Sequence, residues 1–325
     1  MGIKKLLKNW TLPIAIALGV ALYETYSRIP ALDFTRPYAP AVVAVVQPAL
    51  IFTMLFLTFC KVDIRDMRPR LVHLWMLLVQ VGSFALGSLA LRLFPGMEGR
   101  VELEAAMLCM ICPTATSAAV VTAKLHGDAA DITTYTLFVN FAVALTVPMC
   151  VPLIHPHGGT DFFPAFTAIL GKVCPLLLLP LLAAQFVKAL LPRLWRGIVS
   201  LHNLAFYLWA VALCVAIAVS VRAIHHSHSP LPQLAGIAFA SLACCAVQFA
   251  LGRRLGRKGG TEISSGQSLG QKNTVFAIWM GYTFLDPVTS IAGGFYSVWH
   301  NLYNTWQMYR VRRRDAQLAA GGTQS

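Results

Sequence analysis

Two short polar stretches hold the residues able to do chemistry in this chain: ICPTATSAAV (111–120) and SLGQKNTVFA (268–277). Each places a helix breaker, Pro113 or Gly270, ahead of Thr, Ser, Asn or Lys, and each interrupts an otherwise apolar run. Thr116, Ser117, Asn273 and Thr274 offer hydroxyl and amide groups there. Half-helices beginning near Thr116–Ser117 and Asn273–Thr274 would direct free backbone N–H groups and the positive ends of their dipoles into the gap, which suits an anion. The same side chains can satisfy backbone freed by the break, and both roles can hold together.

Lys272, between Gln271 and Asn273, cannot easily snorkel from the middle of its run, and a charge at membrane depth is by default a functional residue. Lys172 is the other Lys or Arg well inside an apolar run, about ten residues in, where its long stem can snorkel to the interface. Acidic residues occur only near the ends of the runs, at Glu102, Glu104, Asp131, Glu262 and Asp286. A buried sodium site wants a carboxylate or several carbonyl and hydroxyl oxygens, and these runs offer few.

The elements that must position these residues are membrane helices. Of the 325 residues, 57% are apolar and 12% charged, against about 25% charged in a soluble domain. The apolar mass falls in runs near the length that crosses a bilayer. Ten spans are expected: 10–24, 41–60, 71–94, 101–125, 131–154, 162–191, 200–223, 231–251, 262–285 and 286–309. No small-residue cleavage site follows the first run, which reads as a retained helix. With the N-terminus inside, the cytoplasmic segments carry 19 Lys and Arg and the outer loops 5, so both termini are expected in the cytoplasm of a plasma (inner) membrane protein. The net charge of +13 is thereby a topology signal, the alternative for LGRRLGRK and YRVRRR being that these membrane-facing loops also bind anionic lipid headgroups; no nucleic acid is implied.

The spans divide five and five, a repeat of about 10–154 and another of about 162–309. The polar breaks fall in spans four and nine. An odd number of spans per half inserts the second half upside down, giving an inverted repeat, and interrupted spans in matching positions point to a transporter binding site. The expected fold is thus a single all-α, ten-helix transmembrane domain over 1–315, with a disordered tail at 316–325. The eight Cys lie in or at the edges of spans and indicate no disulfide framework; Cys109 and Cys112 have a CxxC spacing that carries little weight inside a membrane helix. His155, His157, His225, His226 and His228 read as loop histidines, a metal or pH site being the alternative. No nucleophile–base pair or metal set lies within the spans, so no enzyme and no cofactor is expected.

In order and spacing, several segments resemble the bile acid:sodium symporter family of the bile/arsenite/riboflavin transporter superfamily. They are LIFTMLFLTFCKVDIRDMRPR in span two, Gln80 in span three, ICPTATSAAVVTAKLHGD, SLGQKNT, and FYSVWHN in span ten. The resemblance implies a six-helix core and a four-helix panel, with helices four and nine unwound and crossing. It implies organic anions as substrates, bile-acid-like or other carboxylates, driven by sodium in typical members, with Thr116, Ser117 and Asn273 facing the substrate. The cation-site positions would be Gln80, Ala118, Ala119, Thr136, Ser268 and Gln271. Here the pattern departs from the family: the crossover Glu is Ser268, the crossover Gln is Lys272, and the Ser-Asn pair is Ala118–Ala119, leaving Gln80 and Thr136. A tethered ammonium at Lys272 would supply the charge of one sodium, and could load and release a proton. The expected activity is alternating-access transport of a small organic anion, sodium-independent or proton-coupled. The rivals are an ordinary sodium symporter and a non-transporting receptor with the same fold.

Overall fold

The computed structural model describes residues 11–63, 65, 67–155, 161–201, 204–227 and 229–321. Thirteen α-helices follow one another among the described residues. In chain order they are α1 (Thr11–Arg28), α2 (Ala39–Phe59), α3 (Leu71–Leu93), α4 (Arg100–Ile111), α5 (Ala118–Lys124), α6 (Ala129–Ile154) and α7 (Phe162–Leu190). Then come α8 (Pro192–Ser200), α9 (Leu204–Ser227), α10 (Leu231–Arg257), α11 (Glu262–Gly270), α12 (Thr274–Phe284) and α13 (Ser290–Gly321). The only extended pairing among the described residues is an isolated antiparallel bridge between Thr114 and Lys272.

The helix starts follow local chemistry. Pro sits in the first turn of α2, α8 and α10, where its missing N–H costs nothing. Asp128 caps α6, its Oδ1 accepting from the N–H groups of Ala130 at 2.8 Å and Asp131 at 3.2 Å. Six helices, α2, α3, α6, α7, α9 and α10, are long and apolar enough to cross a membrane. Outward side chains such as Val45, Leu86, Leu182, Phe186 and Phe239 are exposed, as they are in a protein whose surroundings are hydrocarbon.

The other four expected spans fall on α1, on the pairs α4/α5 and α11/α12, and on α13. Each member of the two pairs is too short to cross alone, and α1 and α13 do not reach that apolarity. In α13 the cause is a polar stripe at helical spacing, Ser297, His300, Asn304 and Gln307, all buried. One expectation needs correction. The segment 316–325, expected to be disordered, is helical as far as Gly321, because Ala, Gln and Leu there extend α13 at little cost. Residues 192–199, left between the expected spans 162–191 and 200–223, form α8 together with Ser200, held by the Trp195 indole N–H donating to Cys60 O at 2.8 Å. His157 and His228 lie outside the described residues; His155 Nε2 donates to Glu104 Oε2 (3.0 Å) and His225 Nε2 to Glu24 Oε1 (2.8 Å).

Helix α1 packs on α9, and α2 packs on α7 and α9. A second group gathers α3, α4 and α6, with α10 against α4, α11 and α13. The closest approaches are between α10 and α11. A Cβ on Gly252 would strike the Ser265 carbonyl oxygen, and one on Gly256 would lie 2.6 Å from Thr261 O. We therefore expect Gly256→Ala to destabilise the protein by about 1–3 kcal/mol, as overpacking does. Gly82→Ala, which points into open space in α3, should instead be neutral or stabilising by about 0.5–1 kcal/mol. Thermal unfolding in detergent distinguishes the two; equal midpoints for both variants would contradict the packing.

Candidate functional site

The candidate site forms where two helix pairs stop and restart. Pro113 lacks an N–H and cannot continue α4, and residues 112–117 leave the helical path before α5 begins with Ser117 as its N-cap. Across from it, residues 271–273 separate α11 from α12. The two gaps lie side by side. Ala115 N donates to Gln271 O at 2.8 Å, and Asn273 N to Pro113 O at 2.9 Å. Thr114 Oγ1 donates to Ser268 O at 2.8 Å, Gln271 Nε2 to Ser117 Oγ at 3.0 Å, and the Cys112 thiol to Asn273 O at 2.9 Å.

A helix that ends inside the fold leaves its last carbonyls without intrahelical donors. Those of α4 are met by three different elements. Gln248 Nε2 on α10 donates to Cys109 O at 3.2 Å, and Lys272 Nζ donates to Met110 O at 3.3 Å. Gln80 Nε2 on α3 donates to both Ile111 O and Cys112 O at 2.8 Å. The end of α11 is met likewise, Tyr296 OH on α13 donating to Gly270 O at 2.8 Å. Gln80 and Gln248 are each backed by a tyrosine: Tyr135 OH donates to Gln80 Oε1 at 2.9 Å, and Gln248 Nε2 lies 3.1 Å from Tyr296 OH.

The residues singled out in the sequence divide between the gap and other places. Lys272 is 1% exposed, its ammonium at the C-terminal, negative end of α4. Among the described residues no carboxylate pairs with it; the ionisable side chains around it are the thiols of Cys109, Cys112 and Cys244. Ser117 is exposed and Thr116 half-buried, whereas Asn273 and Thr274 are buried. Asn273 Oδ1 caps α12 by accepting from Phe276 N at 3.2 Å, so this amide already has a structural task. Lys172 is exposed, its Nζ 5.9 Å above the Phe284 ring, away from the gap.

The cation-site positions do not fit a sodium ion. Gln80 is spent on α4 and Tyr135, Thr136 Oγ1 donates to Ile132 O within its own helix at 2.8 Å, and Ala118 and Ala119 carry no side-chain oxygen. Ser268 Oγ and Gln271 Oε1 are buried without partners, but a hard cation needs several more oxygens than these two. The eight cysteines are free thiols, and no group of three His, Cys, Asp or Glu among the described residues is placed to hold a metal.

Sequence reasoning missed Tyr135, Gln248 and Tyr296, whose tasks depend on partners far along the chain. It also missed Asn140 on α6, 1% exposed with neither end of its amide partnered, and the chain from Gln267 Nε2 to Asn304 Oδ1 at 2.9 Å. The i, i+4 spacing of Thr136 and Asn140 was the available signal for the first. Replacing Gln80 by Leu strands two buried carbonyls, so it should cost on the order of 3 kcal/mol, while Tyr135→Phe, which removes one bond, should cost about 1 kcal/mol. Chemical denaturation of the purified protein checks both; a Gln80→Leu variant as stable as the parent would mean that α4 does not end as described.

No family model matches the chain, and no curated protein does.

Proposed function

We propose that the chain is a secondary transporter of a small organic anion, a carboxylate of the kind its resemblance to the bile acid:sodium symporter family implies. The observation that carries this reading is the pairing of two broken helices around a buried ammonium that has no carboxylate partner. In this reading α4/α5 and α11/α12 are spans four and nine, unwound where they cross, and α1 and α13 complete ten spans. Irregular backbone at membrane depth is tolerated where it lines a cavity or is buried in protein.

An inverted repeat is supported by contacts that come in pairs. The packing of α2 on α7 is matched by that of α9 on α1, and α3 on α6 by α10 on α13. The Gln80–Tyr135 pair on spans three and five is matched by Gln248–Tyr296 on spans eight and ten. Helices α1, α2, α7 and α9 would form the panel and the remainder the core. The charge split supports a reading with both termini on the cytoplasmic side of a plasma or inner membrane.

The chemistry follows from Lys272. A buried charge without a partner is costly, and a bound carboxylate would relieve that cost. At an effective dielectric near 20, unit charges about 4 Å apart attract by roughly 4 kcal/mol. The same ammonium repels a cation by a comparable amount, which disfavours sodium at a place already short of oxygens. Ser117 and the N-terminal turn of α12, with Thr116 beside them, would orient the anion. A proton carried on Lys272 would then be the coupling charge, released when the site is empty and retained when the anion is bound.

Uptake of a panel of labelled carboxylates into proteoliposomes tests the reading. At least one should accumulate, and a pH gradient should change its rate. Lys272→Gln should reduce that flux at least about tenfold, equivalent to 1.4 kcal/mol, and abolish the pH response. Specific binding without flux would favour a receptor with this fold, and a Lys272→Gln variant that transports and responds to pH as the parent does would defeat the proposal.

A further inference from the structure

At the basic end of the bundle, α10, α11 and α13 border an open cavity of about 310 Å3. Arg253 from α10 and Arg310 and Arg314 from α13 line it, together with Gln307, Trp306 and the apolar side chains of Leu125, Ile263 and Val311. The two α13 arginines are four residues apart and share a helix face, and Trp306 lies one turn before Arg310. No carboxylate lines the cavity or pairs with any of its three guanidinium groups among the described residues. The nearest acid along α13, Asp315, turns instead to His126, its Oδ2 3.1 Å from Nε2. Arg310 lies over the Trp306 ring at 5.1 Å, which fixes its guanidinium against an apolar wall.

Three arginines that line one cavity without an acid repel one another and suit a multivalent oxyanion. Guanidinium matches phosphate geometry with paired N–H donors, better than it matches a monovalent halide. The site is also wired into the fold. Arg253 donates to Gln307 Oε1 at 3.0 Å, Gln307 Nε2 to Asn304 Oδ1 at 3.2 Å, and Gln267 Nε2 to the same Asn304 oxygen at 2.9 Å. Gln267 belongs to α11, one turn before the gap at Gln271.

We propose that this cavity is a phosphate site, taking the phosphate group of either an anionic phospholipid headgroup or free phosphate in solution. The site is separate from the gap between the broken helices, and its occupancy does not depend on what the protein transports. Its contact with α11 through Gln307, Asn304 and Gln267 lets an occupant steady the helix that leads into the gap.

Binding to the full-length purified protein tests this with two probes. Phosphatidylglycerol in phosphatidylcholine vesicles tests the headgroup, and inorganic phosphate, compared with chloride at matched ionic strength, tests the free anion. The parent should bind at least one probe. Binding of the lipid alone identifies the headgroup as the ligand; binding of phosphate as well shows that the phosphate group suffices. Arg310→Gln with Arg314→Gln should weaken that binding about tenfold or more. Arg312→Gln with Arg313→Gln, which removes the same charge from the same helix outside the cavity, should leave it nearly unchanged. All four side chains are exposed, so neither pair of changes threatens folding. Failure of the parent to bind either probe, no loss in the first variant, or equal losses in both would overturn the proposal.

Discussion

The structure depends on how two helices end among buried side chains. A broken helix exposes carbonyls at one end and N–H groups at the other, and in an apolar interior each must find a partner or cost several kcal/mol. Here the ends are placed against each other. The bridge between Thr114 and Lys272 pairs the two interruptions through their backbones, and side chains from α3, α10 and α13 reach in to satisfy what remains. Each gap supplies backbone partners to the other, Ala115 N donating to Gln271 O and Asn273 N to Pro113 O, so the two segments hold each other in place. The polar residues elsewhere in the apolar interior, Gln80, Tyr135, Gln248 and Tyr296, follow from that requirement.

Lys272 is the exception within this arrangement. One hydrogen bond to Met110 O satisfies one of its three donors, and the negative end of α4 stabilises its charge only partly. Gln80 satisfies two carbonyls with no charge at all, so the backbone alone does not require an ammonium. A charged residue where a neutral one would serve the structure is what a binding or coupling role would select, and this asymmetry separates Lys272 from the capping residues around it.

Much of this was legible in the sequence, and the remainder was illegible for physical reasons. Pro113 announced its break because a missing N–H acts locally, whereas Gly270 is the last residue of α11 and its missing side chain admits the Phe249 ring of α10; the half-helices begin within one or two residues of where hydroxyl and amide caps placed them. The capping glutamines and tyrosines were hidden because each acts on a carbonyl 26 to 139 positions away in the chain. Helix α8 was hidden by its shortness, and the extension of α13 by a tail whose small residues suit helix and coil alike. For Asn273 the sequence offers two tasks, binding an anion and satisfying backbone freed by the break, and the bond from Phe276 N shows the second.

In the proposed function a tethered ammonium, that of Lys272, stands where a bound cation would otherwise be needed. Initial uptake rates of a transported carboxylate, measured at constant pH with an inward sodium gradient and with choline in its place, test this most directly. Equal rates are predicted. Uptake that requires the sodium gradient would contradict it and would mean that Ser268 and Gln271, with backbone oxygens around them, coordinate sodium beside Lys272.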